Sequence, residues 1–216
     1  MSAEKTDFQK LRTEFISHAF NENDTDENPL VQFEKWFNEV VKSGIDDANA
    51  MVLSTVSSLD RPRSRVVLLK GIENGGFVFY TNYQSAKGRE FVNSPFGALN
   101  FFWQAISRQV RIEGKIEKVK PETSDAYFQT RPVESRLGAA VSPQSEIISD
   151  RKFLEDKVME AKKKYSDAEI PRPEHWGGYI LIPDYFEFWQ GRENRLHDRI
   201  CYQPENNGWK KFRLAP

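Results

Sequence analysis

Cysteine is almost missing: the 216-residue chain carries one, Cys201. An internal disulfide is therefore impossible, and so is a zinc site built from several thiolates. The three histidines, His18, His175 and His197, stand far apart, so no local histidine metal motif is present either. An excess of one charge is lacking too. The 31 basic and 32 acidic side chains leave a formal charge of -1, which argues against a dedicated nucleic-acid or membrane-surface protein. Long apolar runs are absent. The longest resemble Val66-Val67-Leu68-Leu69, well short of the ~20 residues a membrane span needs. The N-terminal MSAEKTDFQKLR has no apolar signal region. The expectation is a soluble, cytoplasmic protein with no membrane or nucleic-acid partner. There is no GxGxxG, which argues against a Rossmann domain.

Aromatic residues are plentiful: 16 Phe, 7 Tyr and 5 Trp make up 13% of the chain. That is enough apolar surface for a core, in a length that suits one domain. Residues 1–28 are polar and acid-rich and read as a mobile N-terminal arm, with residues 29–216 as the folded domain. Asn28-Pro29 predicts a helix start, followed by Leu30, Phe33, Phe37, Val40 and Val41 at helical spacing and by Gly44 as the stop.

From Ala50 the period changes to two. Strands are predicted over Met51–Ser57, Arg63–Lys70 (with a doubly buried centre), Phe77–Thr81 and Gly97–Trp103, with a short helix at Ser85–Val92. The cleanest alternation follows: Val110, Ile112, Gly114 and Ile116 face one way, and Gln109, Arg111, Glu113, Lys115 and Glu117 the other. Pro121 and Pro132 open helices, and a charged helix from about Asp150 carries Leu154, Val158, Ala161 and Tyr165 on one face. The tail returns to strands at Gly178–Ile182, Tyr185–Gln190, Arg199–Gln203 and Trp209–Leu214, with an Asn207-Gly208 turn between the last two. The fold class is mainly β with helices (α+β), a barrel-like antiparallel sheet with helices around it.

Three stretches concentrate cations with hydroxyls or aromatics. In the first, Arg65 and Lys70 bracket an apolar strand, and Tyr80-Thr81, Ser85 and Lys87 follow at a helix start, where anions bind well. In the second, Tyr127, Arg131 and Ser135 recur every four residues and can converge as another anion clasp. In the third, Phe186 to Arg199, the residues Arg195, His197 and Arg199 alternate, and a strand would present all three on one face. Such a cluster asks for an anion or acidic partners. The plainer alternatives are solvated strand ends for the first, a surface helix junction for the second and a ladder of surface ion pairs for the third.

The third stretch, aromatic-Glu-aromatic-Trp-Gln, four residues, Arg-Leu-His-Asp-Arg, resembles the signature of the pyridoxine/pyridoxamine 5'-phosphate oxidase family. The resemblance continues, in order, through RVVLLK (Arg65–Lys70), FYTN (Phe79–Asn82), RQVRIEG (Arg108–Gly114), SRLGAAVSPQS (Ser135–Ser145), WGGY (Trp176–Tyr179) and the terminal RLAP. It implies a homodimeric split β-barrel that holds flavin mononucleotide (FMN) at the subunit interface. It implies FMN contacts at Arg65, Val66, Val67, Leu68, Leu69, Lys70, Tyr80, Thr81, Ser85, Lys87, Gln109, Gln144, Ser145, Trp189 and Arg199, some from the second subunit. It implies a substrate-phosphate clasp of Lys70, Tyr127, Arg131 and Ser135, with Arg195 and His197 as the pair that sets the pyridine ring against the flavin. The activity implied is oxidation of pyridoxamine or pyridoxine 5'-phosphate to pyridoxal 5'-phosphate, with dioxygen reduced to hydrogen peroxide. Arg12, Phe15 and Asp47 match contacts that close over the substrate in such proteins, although Phe15 lacks the hydroxyl of the tyrosine it replaces. Ala86 stands where many relatives carry an arginine beside the FMN phosphate. Another flavin-dependent oxidoreductase of the same fold, or a non-catalytic binder of flavin or pyridoxal phosphate, are the competing readings.

Overall fold

The computed structural model describes residues 19–165 and 169–216. They form two compact units: a terminal unit of residues 19–48, 102–111 and 186–216, and a central unit of residues 49–101 and 112–185. Arg12, Phe15 and His18 lie outside the described residues. Nine strands and five α-helices are present among them, so the chain is mainly β with helices, as its short alternating segments indicate. No described helix is long and apolar enough to cross a membrane.

The terminal unit begins with α1 (Pro29–Lys42), whose N-cap Asn28 accepts a hydrogen bond from the Leu30 amide. Its buried stripe is Phe33, Trp36 and Val40, while Val41 is exposed. Phe188 meets Trp36 edge-on at 5.3 Å, and Phe33 tilts against Trp103 at 6.4 Å. Each fully buried aromatic contributes about 1.5–3 kcal/mol by leaving water. Within this unit the end of β7 (Trp176–Gln190) pairs antiparallel with β8 (Asp198–Glu205), which pairs with β9 (Gly208–Arg213). The final hairpin turns at Asn206-Asn207, one residue before the predicted position, because Glu205 pairs with Gly208 and Asn206 takes the left-handed conformation (φ 53°).

The central unit holds β1 (Ala50–Val56), β2 (Pro62–Leu68), β3 (Gly71–Glu73), β4 (Gly76–Asn82) and most of β5 (Phe96–Trp103), β6 (Arg108–Lys118) and β7. The strand order is β2-β1-β5-β6-β7-β4-β3. β6 buries Val110, Ile112, Gly114 and Ile116, the face its alternation predicts. Asn74 and Gly75, both at positive φ, close the tight β3–β4 hairpin.

Two strand expectations need correction. β7 is one strand rather than two: Pro183-Asp184 reads as a break, yet extended backbone continues through it. The centre of β2 is not doubly buried, since Val66 is 67% exposed. The helices α2 (Ala86–Asn93), α3 (Pro121–Thr130), α4 (Val133–Val141) and α5 (Arg151–Lys164) complete the unit. Phe128, Leu137, Ala161, Ile170 and Trp176 form the core between the last three of these and β7.

Candidate active site

The central unit contains a cleft of about 970 Å³. One wall is β2, and its apolar run is exposed because it faces this space. The cleft gathers Arg65, Val66, Val67, Leu68, Lys70, Tyr80, Thr81, Lys87, Tyr127, Arg131 and Ser135 from the first two stretches, together with Gln144 and Ser145. Leu69 points away from it into the core. Ser85 lies fully buried and reaches the cleft only through Lys87.

At one end stands the first turn of α2. The Ser85 hydroxyl caps the helix by accepting from the Gly88 amide. Gly88 is required there, because a β-carbon would collide with the Tyr83 carbonyl. This close approach brings Lys87 inward. Its Nζ donates to Thr81 Oγ1 at 3.1 Å and to Ser85 Oγ at 3.3 Å. Burial, and then the neighbouring Arg65 charge, push the Lys87 pKa down to about 8. Thr81 Oγ1 in turn donates to Gln144 Oε1 at 3.1 Å.

Arg65 is fixed from behind. Its Nη2 donates to Glu90 at 3.1 Å, and its Nη1 donates to Thr55 Oγ1. Glu90 is only 4% exposed. Burial raises its pKa, but hydrogen bonds from Thr55, Arg63 and Arg65 outweigh that and leave it below the ordinary carboxylate value. Sequence reading passed over Glu90; its position one turn after Lys87 in an otherwise cationic stretch was the available signal.

At the other end, Tyr80 stacks on Tyr127 with ring centres 3.9 Å apart and planes 17° apart. Trp176 lies nearly parallel to both. The Arg131 guanidinium sits 4.6 Å above the Trp176 ring. Its Nη1 is buried without a hydrogen-bond partner. Burial lowers the Arg131 pKa from its usual value. Trp176 was legible only as part of the WGGY motif.

Gln109, Trp189, Arg195, His197 and Arg199 belong to the terminal unit. Trp189 and Arg199 are cross-strand neighbours, and the His197 ring lies 4.6 Å from that of Trp189. Gln109 is half-buried on β6. Arg199 grips the buried Glu187 with bonds of 2.8 and 3.0 Å, and Arg111 adds another at 2.7 Å. Burial raises the Glu187 pKa, but these two arginines hold it below the ordinary range.

The expected strand face of Arg195, His197 and Arg199 does not form. β8 starts at Asp198, and Arg195 ends a short 3-10 turn with Asn194 and Arg195 both at positive φ (54° and 62°). Such backbone costs of order 1 kcal/mol per residue. The repulsion predicted for that face is relieved by Glu187 and by a neutral histidine. The Arg192 amide donates to His197 Nδ1 at 3.0 Å, and an N–H can only donate, so Nδ1 carries no hydrogen. Burial, and then the Arg195 charge, lower the His197 pKa. The ring is therefore neutral at pH 7, with its hydrogen on Nε2.

The family model described as "Pyridoxamine 5'-phosphate oxidase" matches residues 37–165, and "Pyridoxine 5'-phosphate oxidase C-terminal dimerisation region" matches residues 176–216. The chain belongs to the pyridoxamine 5'-phosphate oxidase family. As a member of that family it is an oxidoreductase. A Cytophaga hutchinsonii protein named pyridoxine/pyridoxamine 5'-phosphate oxidase is 51% identical over 214 residues, covering 98% of this chain and all of its own length. A protein of the same name from Legionella pneumophila is 49% identical, over 95% of this chain and 96% of its own.

Among solved structures, PhzG from Burkholderia lata, in complex with tetrahydrophenazine-1-carboxylic acid, superposes with a TM-score of 0.86. It has 27% identity and covers 93% of this chain and 99% of its own. A pyridoxamine 5'-phosphate oxidase-related, FMN-binding protein from Nostoc punctiforme shares the fold, with a TM-score of 0.69 at 16% identity, over 89% of this chain and 100% of its own. The split-barrel class expected from the motifs is thus the fold this oxidase family member has.

Proposed function

We propose that the chain is an FMN-dependent oxidase that converts pyridoxamine 5'-phosphate or pyridoxine 5'-phosphate to pyridoxal 5'-phosphate, with dioxygen as acceptor, and that it works in the cytoplasm as a homodimer. One observation supports this above the rest. The cleft has a buried lysine, Lys87, and a half-buried arginine, Arg131, whose Nη1 is buried, and neither forms a salt bridge among the described residues. A buried cation is costly unless an opposite charge meets it. Two cations held without acids suit two phosphate esters, one belonging to the cofactor and one to the substrate. The orphaned Arg131 Nη1 and the hydroxyl cradle around Lys87 support the fit of the donor set to both groups.

In this reading Lys87, Arg65 and Thr81 hold the FMN phosphate, Ser85 acting through Lys87, with Val66, Val67, Leu68, Tyr80, Gln144 and Ser145 along the rest of the cofactor. Gln109, Trp189 and Arg199 contribute as well, some from the second copy. Lys70, Tyr127, Arg131 and Ser135 clasp the substrate phosphate. Arg supplies paired donors to phosphate oxygens, and Lys a compact charge. FMN, when bound, would supply the two-electron redox chemistry between substrate and dioxygen, with hydrogen peroxide as the reduced product. The protein's part is alignment. His197, whose Nδ1 accepts from the Arg192 amide, orients the substrate in this reading. Arg195 supplies fixed positive charge beside the reacting carbon. Tyr127 and Ser135 add neutral donors. Purified protein should be yellow and should release peroxide when given pyridoxamine 5'-phosphate in air. A colourless protein, or a yellow one that stays silent with both esters, would overturn the assignment.

A further inference from the structure

Three nearly parallel rings line the far end of the cleft. Tyr80 lies on β4, Tyr127 on α3 and Trp176 at the start of β7. Interplanar angles are 17° for Tyr80–Tyr127, 11° for Tyr80–Trp176 and 7° for Tyr127–Trp176. Trp176 is 6% exposed and is clamped on its other side by Phe128, edge-on at 5.1 Å. The ring therefore cannot rotate away without opening the helical core.

Arg131 follows α3 directly as its C-cap, in extended backbone (φ -76°, ψ 147°). Its guanidinium lies 4.6 Å over Trp176 and 5.8 Å from the Phe128 ring. No carboxylate pairs with it among the described residues, and Nη1 is buried without a partner. An arginine is usually aimed by an acid, as Glu90 aims Arg65. An acid beside Arg131 would compete with an incoming anion. A ring face orients the flat cation by its quadrupole and leaves its N–H edge open.

We propose that Trp176 is a positioning residue: its ring holds the Arg131 guanidinium flat and in register with Tyr127, so that the anion clasp is formed before a phosphate ester arrives. Trp176 acts only through Arg131 and Tyr127 and is not itself a catalytic residue. The inference rests on the proposed substrate-phosphate role of Arg131, so the test separates the two.

The measurement is equilibrium binding of pyridoxal 5'-phosphate to the flavin-loaded protein, with the thermal midpoint and flavin content recorded for each variant. Arg131→Ala should weaken binding; unchanged binding would defeat the phosphate-clasp reading itself. Trp176→Leu should weaken it by about tenfold, the scale of a desolvated cation–ring contact. Trp176→Phe, which keeps a ring face, should stay within about threefold of wild type. In the Arg131→Ala background, Trp176→Leu should add almost nothing, because the group it positions is gone. Equal losses in both backgrounds would show that Trp176 serves packing alone and overturn the proposal, and so would wild-type affinity in Trp176→Leu.

Should Trp176→Leu fail to fold, tryptophan emission decides. Titration with inorganic phosphate should change the emission of wild type by an amount missing in Trp176→Phe and in Arg131→Ala. No such difference would overturn the proposal.

Discussion

A lysine buried among hydroxyls titrates differently from one in water. The Lys87 pKa falls to about 8 from its ordinary 10.5. The unfolded chain keeps this proton up to 10.5, so between about 8 and 10.5 the unfolded state binds more protons. Folding of the ligand-free protein therefore gains stability as pH rises through that window. Phosphate binding runs the other way, since it uses the charged form. FMN affinity of the ligand-free protein should hold up to about pH 8 and fall above it, and Lys87→Met should weaken binding and flatten the profile; fluorescence titration of FMN across pH checks both. His197 and Arg195 make a second residue-level case. Replacing either by Ala should cut turnover with pyridoxine 5'-phosphate while flavin content stays near wild type. Steady-state rates alongside the flavin absorbance ratio read this, and wild-type turnover in both variants would refute the assignment.

Among the elements, α2 carries the sharpest local consequence. Its first residue, Ala86, lines the cleft beside Lys87 at the helix N-terminus, where free amides and the helix dipole favour an anion. Ala86→Arg should tighten FMN binding by about 1.5–3 kcal/mol if the added cation reaches the phosphate; an unchanged dissociation constant for FMN counts against it. The same element shows how far sequence reading carries. The helix was legible from local pattern, although Ser85, read as its first residue, is its cap, and so was β6, whose alternation is regular. β2 misled because an apolar run reads as core, although Val66 and Leu68 instead wall a cleft. Arg195 misled because alternation suggested a strand where Asn194 and Arg195 turn left-handed. Glu90 and Trp176 meet their arginines through tertiary contacts far along the chain, so the spacing of Glu90 from Lys87 marks an acid without naming Arg65 as its partner.

On the scale of the whole molecule, the residues assigned to the two ligands divide between the two units, and the C-terminal segment matches a dimerisation region. Large apolar side chains stay exposed in the single chain, among them Phe96 at 55%, Phe102 at 52% and Leu196 at 70%. A homodimer of twice 25.1 kDa is expected in sedimentation. Dilution that dissociates it should release FMN and abolish turnover together; a fully active, flavin-bound monomer would contradict the proposed sharing of the site. The ordered series of motifs made the fold and the oxidase family readable from sequence at this scale. The division into two units was not readable, because β5, β6 and β7 each run through both without a linker-like stretch to mark the passage.

Lys87 and Arg131, neither salt-bridged among the described residues, tie the stability of the protein to its ligands. A protein that buries Lys87 with only the unbonded charge of Glu90 nearby, and the Arg131 Nη1 with no hydrogen-bond partner, is at its weakest when nothing anionic is bound. Any phosphate ester that settles there shifts the folding balance by mass action, about 2.7 kcal/mol at a hundredfold excess over its dissociation constant. Survival against heat and proteolysis would then follow the supply of such esters.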